Sequence, residues 1–322
     1  EEIGRLYGYQ NLVSTLPVVP MRKGGYVGDV KYRKLISKRL RSLGLNEVKT
    51  YTLVSPTEAS LFNYEAKEKV TLPNPMSVDK SIVRTTLLPS LLNIYDYNKA
   101  RKVENIFIYE ISKTYDSAYN EDTKIAILMK GTYLGSSWSQ NKINTDFYLA
   151  KGIVENILDY LGLKNRYTYV VSPINDMHPG ISAKILLDRE EIGIIGRIHP
   201  SIKKDDIYLI ELSLNKLIKP VKKIKYKESS KYPEIKKDLS FIVSHNTTCQ
   251  ALEEAIKKSG GRLLIDISLF DVYHISDTEK SLAFTLTFKD SDRTLTDEEV
   301  MQVFNKIIAD VTTKCNAKLK SI

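Results

Sequence analysis

The order of predicted elements in the C-terminal part of the chain constrains the fold more than any other sequence feature. Alternating apolar residues predict strands over 238–244, 263–273 and 281–289, and a short last strand over 318–320. Thr247–Gln250 and Thr296–Glu299 both have the spacing of a capping box, so each predicts the start of a helix. The resulting order, βαββαβ, is typical of the ferredoxin-like arrangement.

The preceding region, from about residue 26 to residue 226, predicts a larger mixed structure. A helix is expected from Asp29, which can cap it, to Gly44, with Leu40 and Leu43 on its apolar face. Further segments with helical or strand periodicity are helices over 90–101 and 147–161, and strands over 47–54, 70–72, 106–111, 124–129, 183–187, 192–198 and 207–212. Helices and strands do not alternate regularly, and this favours an antiparallel sheet flanked by helices.

Composition excludes several classes of protein. The chain has 322 residues, enough for about two domains, and 42% hydrophobic with 27% charged residues is ordinary globular composition. No apolar run approaches the roughly 18 residues of a membrane span, so an integral membrane protein is excluded. Cys249 and Cys315 lie far apart and the four histidines have no metal-ligand spacing, so a reducing cytoplasm is expected.

The positive charge is unevenly distributed. The chain has a net charge of +9, but residues 229–322 carry 13 basic and 14 acidic side chains. Much of the excess lies in the lysine-rich run 216–227. Composition alone favours a solubilising linker there, and contact with phosphate groups is the alternative.

Two motifs that resemble catalytic or nucleotide-binding sequences have simpler interpretations. Gly193–Arg197 lacks the third glycine and the strand–loop–helix setting of a nucleotide loop, so a closely packed strand is favoured. His178 and His199 each precede a proline, and no serine nucleophile elbow accompanies them. We therefore expect turn histidines with local hydrogen bonds.

The two ends of the chain leave alternatives open. Phe284 and Phe288 alternate on one strand, where they either stack on bases or pack against the helices. Glu1 and Glu2 open a segment that reads as the end of a helix, so we expect a fragment of a longer protein. Adjacent helical carboxylates point about 100° apart, which favours a solvated face over a metal site, although Mg²⁺ needs only one or two protein carboxylates.

Several segments together carry a resemblance to a known family. The C-terminal segments 232–241, 269–273, 280–284 and 293–299 resemble the ferredoxin-fold anticodon-binding domain in order and spacing. Upstream, the segments 72–77, 84–92, 178–180 and 195–200 match as well. The chain as a whole resembles the β subunits of bacterial heterotetrameric phenylalanyl-tRNA synthetases.

The resemblance implies an α+β fold in three parts. Residues 1–21 would be the remnant of a preceding domain, and residues 229–322 the anticodon-binding domain. Residues 22–228 would be a degenerate class II aminoacyl-tRNA synthetase-like core, an antiparallel sheet with flanking helices and no active site of its own. The sequence agrees, since it has no GxGxxxR signature and no convincing set of ATP-clamping arginines.

The resemblance also implies partners and cofactors. Phenylalanine would be attached to tRNA(Phe) with ATP at the α subunit of a cytoplasmic α2β2 heterotetramer, with no membrane partner. Glu1 and Glu2 would belong to a Mg²⁺ site shared with the α subunit, and the aspartates that complete it would precede residue 1. The editing domain would also lie upstream.

Charge suggests where the last domain contacts tRNA. Its net charge of −1 predicts a few local contacts instead of a basic sheet. The candidates are Lys231, Lys236, Lys237 and Arg293, together with exposed aromatic residues. For each cation a solvated surface charge is the equal alternative. For the whole chain, the alternative is a free-standing RNA-binding or regulatory paralogue without a ligase partner.

Overall fold

The structure, a computed structural model, describes residues 1–21, 23–65, 67–135, 137–138, 141–220 and 230–320. The chain divides into two compact units, Glu1–Lys223 and Ile224–Ile322. Most of the lysine-rich run predicted as a linker lies outside the described residues. Within the described ranges, no helix is both long and apolar enough to cross a bilayer.

The first unit contains both helices and strands in irregular succession. Its described strands are β1 Asn46–Glu47, β2 Leu53–Val54, β3 Ile82–Val83, β4 Ile106–Tyr115, β5 Glu121–Lys130, β6 Thr132–Leu134, β7 Ile143–Asn144, β8 Tyr167–Val171, β9 Met177–Leu187, β10 Glu190–Ile198 and β11 Tyr208–Ser213. Its described α-helices are α1 Glu2–Tyr7, α2 Gly28–Ser42, α3 Pro56–Ser60, α4 Leu88–Lys99, α5 Phe147–Tyr160 and α6 Leu214–Leu217. Short 3-10 helices span Tyr9–Asn11 and Val78–Lys80.

A seven-stranded sheet, as far as the described residues show it, forms the centre of the first unit. The strand order is β1-β4-β5-β11-β10-β9-β8. Every neighbouring pair is antiparallel except β1 with β4, which is parallel. The antiparallel sheet with flanking helices predicted from the sequence is therefore confirmed.

Helices cover both faces of this sheet. On one face, Ile36 and Leu40 of α2 and Ile157 of α5 join a buried cluster with Ile127 and Ile210 of the sheet. The other face packs against α4, through a second cluster that includes Leu88, Leu91, Tyr95, Leu128 and Leu209. The burial of aliphatic side chains on both faces explains why the central strands are almost continuously apolar.

Three local predictions in this unit were wrong. The segment 70–72, expected as a strand, forms an isolated bridge between Thr71 and Ile82. The strand expected over 47–54 is interrupted between β1 and β2, because Thr50 directs its backbone N–H to the Glu110 side chain instead of to a ladder partner. The N-cap of α2 is Val27, so Asp29 lies in the first turn. A carboxylate there still favours the helix through the helix dipole.

The second unit has the predicted element order. Its elements are β12 Ile235–Ser244, α7 Cys249–Gly260, β13 Leu264–His274, β14 Glu279–Phe288, α8 Asp297–Cys315 and β15 Lys318–Leu319. The strands form an antiparallel sheet in the order β13-β14-β12-β15. The ferredoxin-like arrangement is therefore confirmed.

The helix caps and core residues of this unit agree with the sequence-based predictions, with one exception. Thr296 and Glu299 form the reciprocal bonds of a capping box at the start of α8. The box expected at Thr247 was wrong, because the N-cap of α7 is Thr248, whose side chain accepts from the Ala251 backbone N–H. Phe284 and Phe288 are both fully buried against the helices, so they are not free to stack on bases.

Candidate functional site

The four-stranded sheet of the second unit has one face covered by α7 and α8. Phe241 of β12 and Phe284 of β14 point into this helical side, in a cluster with Ile256 and Ile307. Successive side chains of a strand point to opposite faces, so Ser240 and Ser281 lie on the other side of the sheet. Their hydroxyl oxygens are 2.8 Å apart across the two central strands.

An irregularity in β13 places an aromatic residue on this second face. Leu269 is opposite Phe284 on the helical side, and a β-bulge follows between Leu269 and Asp271. After the bulge, Tyr273 is opposite Ser281. The bulge therefore moves Tyr273 to the face away from the helices, where its side chain is 60% exposed.

Two lysines, Lys318 of β15 and Lys320 directly after it, lie on the same face as Tyr273. Lys318 is opposite Ile242, and the backbone N–H of Lys320 donates to the Ser240 carbonyl. The Lys320 ammonium is 5.9 Å from the centroid of the Tyr273 ring. We call Tyr273, Lys318 and Lys320 the Tyr273 face.

The Tyr273 face combines two kinds of contact that single-stranded nucleic acid requires. An exposed ring offers a surface on which a base can stack, and a nearby ammonium can contact a phosphate. The β14 residues between them on this face, Ser281 and Ala283, have small side chains, and the Tyr273 side chain itself is 60% exposed. The chemistry of this face fits an unpaired base next to a phosphate.

The first unit carries a buried polar network on the sheet face beneath α4. Glu211 of β11 is fully buried, and its carboxylate accepts hydrogen bonds from the Thr86 hydroxyl (2.8 Å), the Leu87 backbone N–H (2.8 Å) and the Tyr64 hydroxyl (2.6 Å). Burial raises the pKa of Tyr64 well above its usual value, and the Glu211 carboxylate raises it further. Tyr64 therefore stays protonated as a donor.

Two further ion pairs belong to the same face. Arg84 and Glu110, which are 3% and 0% exposed, approach to 3.3 Å, and the Thr50 hydroxyl donates to Glu110 at 2.6 Å. Lys124 lies 2.7 Å from Glu65. Burial alone would lower the Lys124 pKa, but the carboxylates of Glu211 and Glu65 raise it above its usual value. These charges neutralise one another within the protein, which indicates a structural network.

The glycine and histidine motifs of this unit are structural as well. A Cβ atom at Gly193 would lie 2.1 Å from the Glu211 carbonyl oxygen, so this strand position requires glycine for close packing. His178 accepts the Gly180 backbone N–H at 3.1 Å, and His199 accepts the Ser201 backbone N–H at 3.2 Å. The interpretation as a packed strand is confirmed, and both histidines form the expected local hydrogen bonds, although His178 lies at the start of β9 and not in a turn.

Family comparisons agree with both units. The family model for the phenylalanyl tRNA synthetase beta chain CLM domain matches residues 12–214. The family model for the ferredoxin-fold anticodon binding domain matches residues 230–320. The chain belongs to the phenylalanyl-tRNA synthetase β chain family.

Curated relatives of this family match nearly the whole chain. A phenylalanine–tRNA ligase beta subunit of Geobacillus kaustophilus is 37% identical over 99% of this chain and 41% of the relative. The corresponding subunit of Shouchella clausii is 36% identical over 100% of this chain and 42% of the relative. The chain therefore spans about two fifths of the length of these relatives.

Among solved structures, a pyrrolysyl-tRNA synthetase from Desulfitobacterium hafniense is similar to part of the chain. It covers 58% of this chain and 64% of its own chain, with 16% identity and a TM-score of 0.44. A likeness this weak carries no argument about function.

The predicted tRNA contacts of the β chain lie on two sides of the second unit. Lys237 is 3.6 Å from Asp297, and Arg293 forms two bonds of 2.8 and 2.5 Å with Glu299, so both cations contact the first turn of α8. Lys236 is opposite Thr287, on the sheet side away from the helices. Lys231 is exposed at the entrance of the unit.

The predicted metal residues are not arranged as a metal site. Glu1 and Glu2 are both exposed, and the Arg5 guanidinium donates to the Glu2 carboxylate at 2.9 Å. Across the described ranges, no group of three or more histidine, cysteine, aspartate or glutamate side chains is placed to hold a metal ion. The residues present do not fit Mg²⁺ by themselves.

Sequence reasoning did not single out Tyr273. If β13 were regular, alternation from Leu269 would place Tyr273 on the helical side with the core residues. The bulge reverses this orientation, and sequence periodicity does not reveal it. The sequence shows Lys318 and Lys320 as cations of the last strand region, but their position near an exposed ring depends on the strand order of the sheet.

Proposed function

We propose that the chain is the C-terminal part of the β subunit of phenylalanine–tRNA ligase, and that this part supplies assembly and tRNA binding. The Tyr273 face carries the proposal, because it presents a ring and two cations on the domain that matches the anticodon-binding family. The bound RNA would be the unpaired anticodon region of tRNA(Phe), since stacking needs a base outside a duplex.

The chemistry would take place on a partner. In the first unit, the sheet face under α4 is filled by aliphatic side chains, by the hydrogen-bonded Glu211 carboxylate and by the ion pairs Arg84–Glu110 and Lys124–Glu65. We propose that ATP and phenylalanine bind to an α subunit, in a cytoplasmic α2β2 heterotetramer. This unit would then serve as the scaffold that holds the α subunit.

The four cations predicted from charge would supply outer contacts with the tRNA backbone. Lys237 and Arg293 already contact carboxylates, but exposed ion pairs contribute little free energy and can exchange for a phosphate. Lys236 lies on the same side of the sheet as the Tyr273 face. Lys231 would add a further exposed cation at the entrance of the second unit.

A Mg²⁺ site involving Glu1 and Glu2 would need further oxygen ligands from outside this chain. Two carboxylates are within the number that protein magnesium sites use, but Glu2 is already paired with Arg5.

The assembly proposal is tested by purification from the native host. We expect the full-length subunit to co-purify with an α subunit in equal amounts, and the subunit alone to show no phenylalanine-dependent ATP–pyrophosphate exchange. Exchange activity without a partner would contradict the assignment of the chemistry. Recovery without any α subunit, together with RNA binding, would favour the free-standing paralogue.

The RNA-binding proposal is tested by substitution of the ring. Tyr273→Ala in the assembled enzyme should weaken binding of a tRNA(Phe) transcript about fivefold to a hundredfold, because a stacked base contributes about 1–3 kcal/mol. Tyr119→Ala is the matched control, since Tyr119 is a 79% exposed tyrosine of the first unit. Equal affinities for the two variants would contradict the role of the Tyr273 face.

A further inference from the structure

Two histidine side chains of the second unit form a stacked pair close to Tyr273. His245 follows the end of β12, and His274 is the last residue of β13. Their ring centroids are 5.0 Å apart and the ring planes differ by 5°. Because β14 lies between β12 and β13, this stack is a side-chain connection between two strands that are not neighbours in the sheet.

His245 also binds the turn that joins β13 to β14. Its backbone N–H donates to the Thr278 carbonyl at 2.9 Å, and its ring Nε2–H donates to the Ser276 carbonyl at 2.9 Å. The Lys280 ammonium donates to the His245 carbonyl at 3.0 Å. The first two bonds hold the turn to the end of β12, and the third holds the start of β14 there; His245 takes part in each of them.

The segment that these contacts hold is otherwise weakly supported. β13 is an edge strand with β14 as its only described neighbour, and residues 270–278 are all exposed. The core cluster beneath the strand includes Ile267 and Leu269 but no residue beyond the bulge. On the side of the helices, the His245–His274 stack therefore supports the end of β13, and the Lys320–Tyr273 contact lies on the other side of the sheet.

Tyr273 immediately precedes His274 in this segment. The two side chains point to opposite faces of the sheet, so the histidine stack lies beneath the strand and the tyrosine ring lies above it. Any displacement of the strand end would move the ring relative to Lys320. When a base stacks on a ring, binding becomes weaker if the backbone that holds the ring is mobile.

We propose that His245 and His274 are positioning residues for RNA binding, which act by fixing the backbone of Tyr273. This inference rests on the proposed stacking role of the Tyr273 face. The histidines touch no nucleotide themselves. Their contribution to RNA affinity should therefore depend on the tyrosine ring. Two aromatic side chains of similar shape should be able to take over this positioning role.

A double-mutant cycle in the assembled enzyme tests the inference, with a tRNA(Phe) transcript as the probe. We expect His274→Ala to weaken binding about threefold to tenfold, a change of roughly 1 kcal/mol. The same substitution in a Tyr273→Ala background should change binding less than twofold, since the ring it positions is absent. His178→Ala, which removes a histidine of β9 in the first unit, is the control.

The double variant His245→Phe with His274→Phe separates positioning from general stability. Two phenyl rings keep a stack without imidazole hydrogen bonds, so this variant should recover most of the affinity lost by His274→Ala. The inference would be overturned if His274→Ala lowered the affinity for tRNA equally in the wild-type and Tyr273→Ala backgrounds. It would also be overturned if the phenylalanine pair recovered none of the lost affinity. If Tyr273→Ala alone leaves binding unchanged, the proposed RNA-binding face fails and the positioning role fails with it.

Discussion

At the scale of single residues, Glu211 is a fully buried carboxylate of the first unit that accepts three hydrogen bonds. Replacement by alanine would leave the donors of Tyr64, Thr86 and Leu87 without an acceptor in a fully buried environment. Unsatisfied buried donors cost about 1–3 kcal/mol each, so we expect Glu211→Ala to lower the free energy of unfolding by about 3 kcal/mol or more. Urea denaturation followed by circular dichroism measures this change.

An exposed carboxylate of the same sheet supplies the control for this experiment. Glu121 forms an ion pair with Lys113, and its side chain is 49% exposed. Glu121→Ala should therefore change the free energy of unfolding by less than about 1 kcal/mol. Similar effects of the two substitutions would show that the buried network contributes no more than a surface ion pair.

Glu299 should make the stability of the second unit depend on pH in the acid range. Its hydrogen bonds with the Arg293 guanidinium and the Thr296 backbone lower the pKa of the carboxyl to about 2. A carboxyl whose pKa is lowered on folding stabilises the folded state above its unfolded value, about 4.3, and this stabilisation disappears as pH falls through the folded value. Glu299→Gln removes the titrating group and weakens the ion pair.

The measurement is the melting temperature of the second unit's transition between pH 6 and pH 2. We expect the wild-type chain to melt above the Glu299→Gln variant at pH 6, and the difference to shrink towards pH 2. Glu298→Gln, at an exposed position of the same helical turn, is the control and should show no such trend. A difference that stays constant across this range would contradict the pKa assignment.

At the scale of elements, the sequence periodicity of α2 correctly predicts an apolar face but does not decide what that face packs against. The sequence predicts one apolar face with Leu40 and Leu43, which either pairs with a partner or enters the domain's own core. The structure places Leu40 at 0% exposed in the core, with Leu43 packed against the same cluster. The exposed face carries cations instead, namely Lys31, Lys34, Lys38 and Arg41.

Substitutions on the two faces of α2 should therefore have different consequences. Leu40→Asp should unfold the first unit, because an unpaired carboxylate in this core costs more than about 4 kcal/mol. The double variant Lys34→Glu with Lys38→Glu should stay folded and should weaken association with an α subunit if this face contacts it. Sedimentation and circular dichroism distinguish the two results, and a folded, assembled Leu40→Asp variant would contradict the core placement.

The elements that the sequence predicted well are those with local signals. The capping box at Thr296 and the apolar alternation of β14 determine α8 and a central strand without long-range information. The break between β1 and β2 was not predictable, because it depends on Glu110, which is distant in sequence. The position of Tyr273 likewise depends on one bulge, whose effect on every later side chain of β13 is invisible to periodicity.

At the scale of the whole molecule, the two units differ in their electrostatic character. Residues 229–322 carry 13 basic and 14 acidic side chains, so they cannot supply the broad positive field of an independent RNA-binding protein. Affinity for tRNA should come mainly from the rest of the assembly, with the second unit adding a tethered local contact. Within that contact, the Lys318 and Lys320 charges and the Tyr273 ring should contribute through different forces.

Salt dependence separates these forces. Each phosphate contact to a single strand contributes a slope of about −0.7 in a plot of the logarithm of the binding constant against the logarithm of salt concentration. The double variant Lys318→Ala with Lys320→Ala should flatten the slope by about 0.7 to 1.4, whereas Tyr273→Ala should lower affinity at every salt concentration and leave the slope unchanged. Deletion of residues 230–322 should combine both effects, measured for the assembled enzyme with a tRNA(Phe) transcript. If the deletion changes neither affinity nor slope, the second unit does not contact tRNA. If Tyr273→Ala flattens the slope, the Tyr273 face binds RNA through charge and not through stacking.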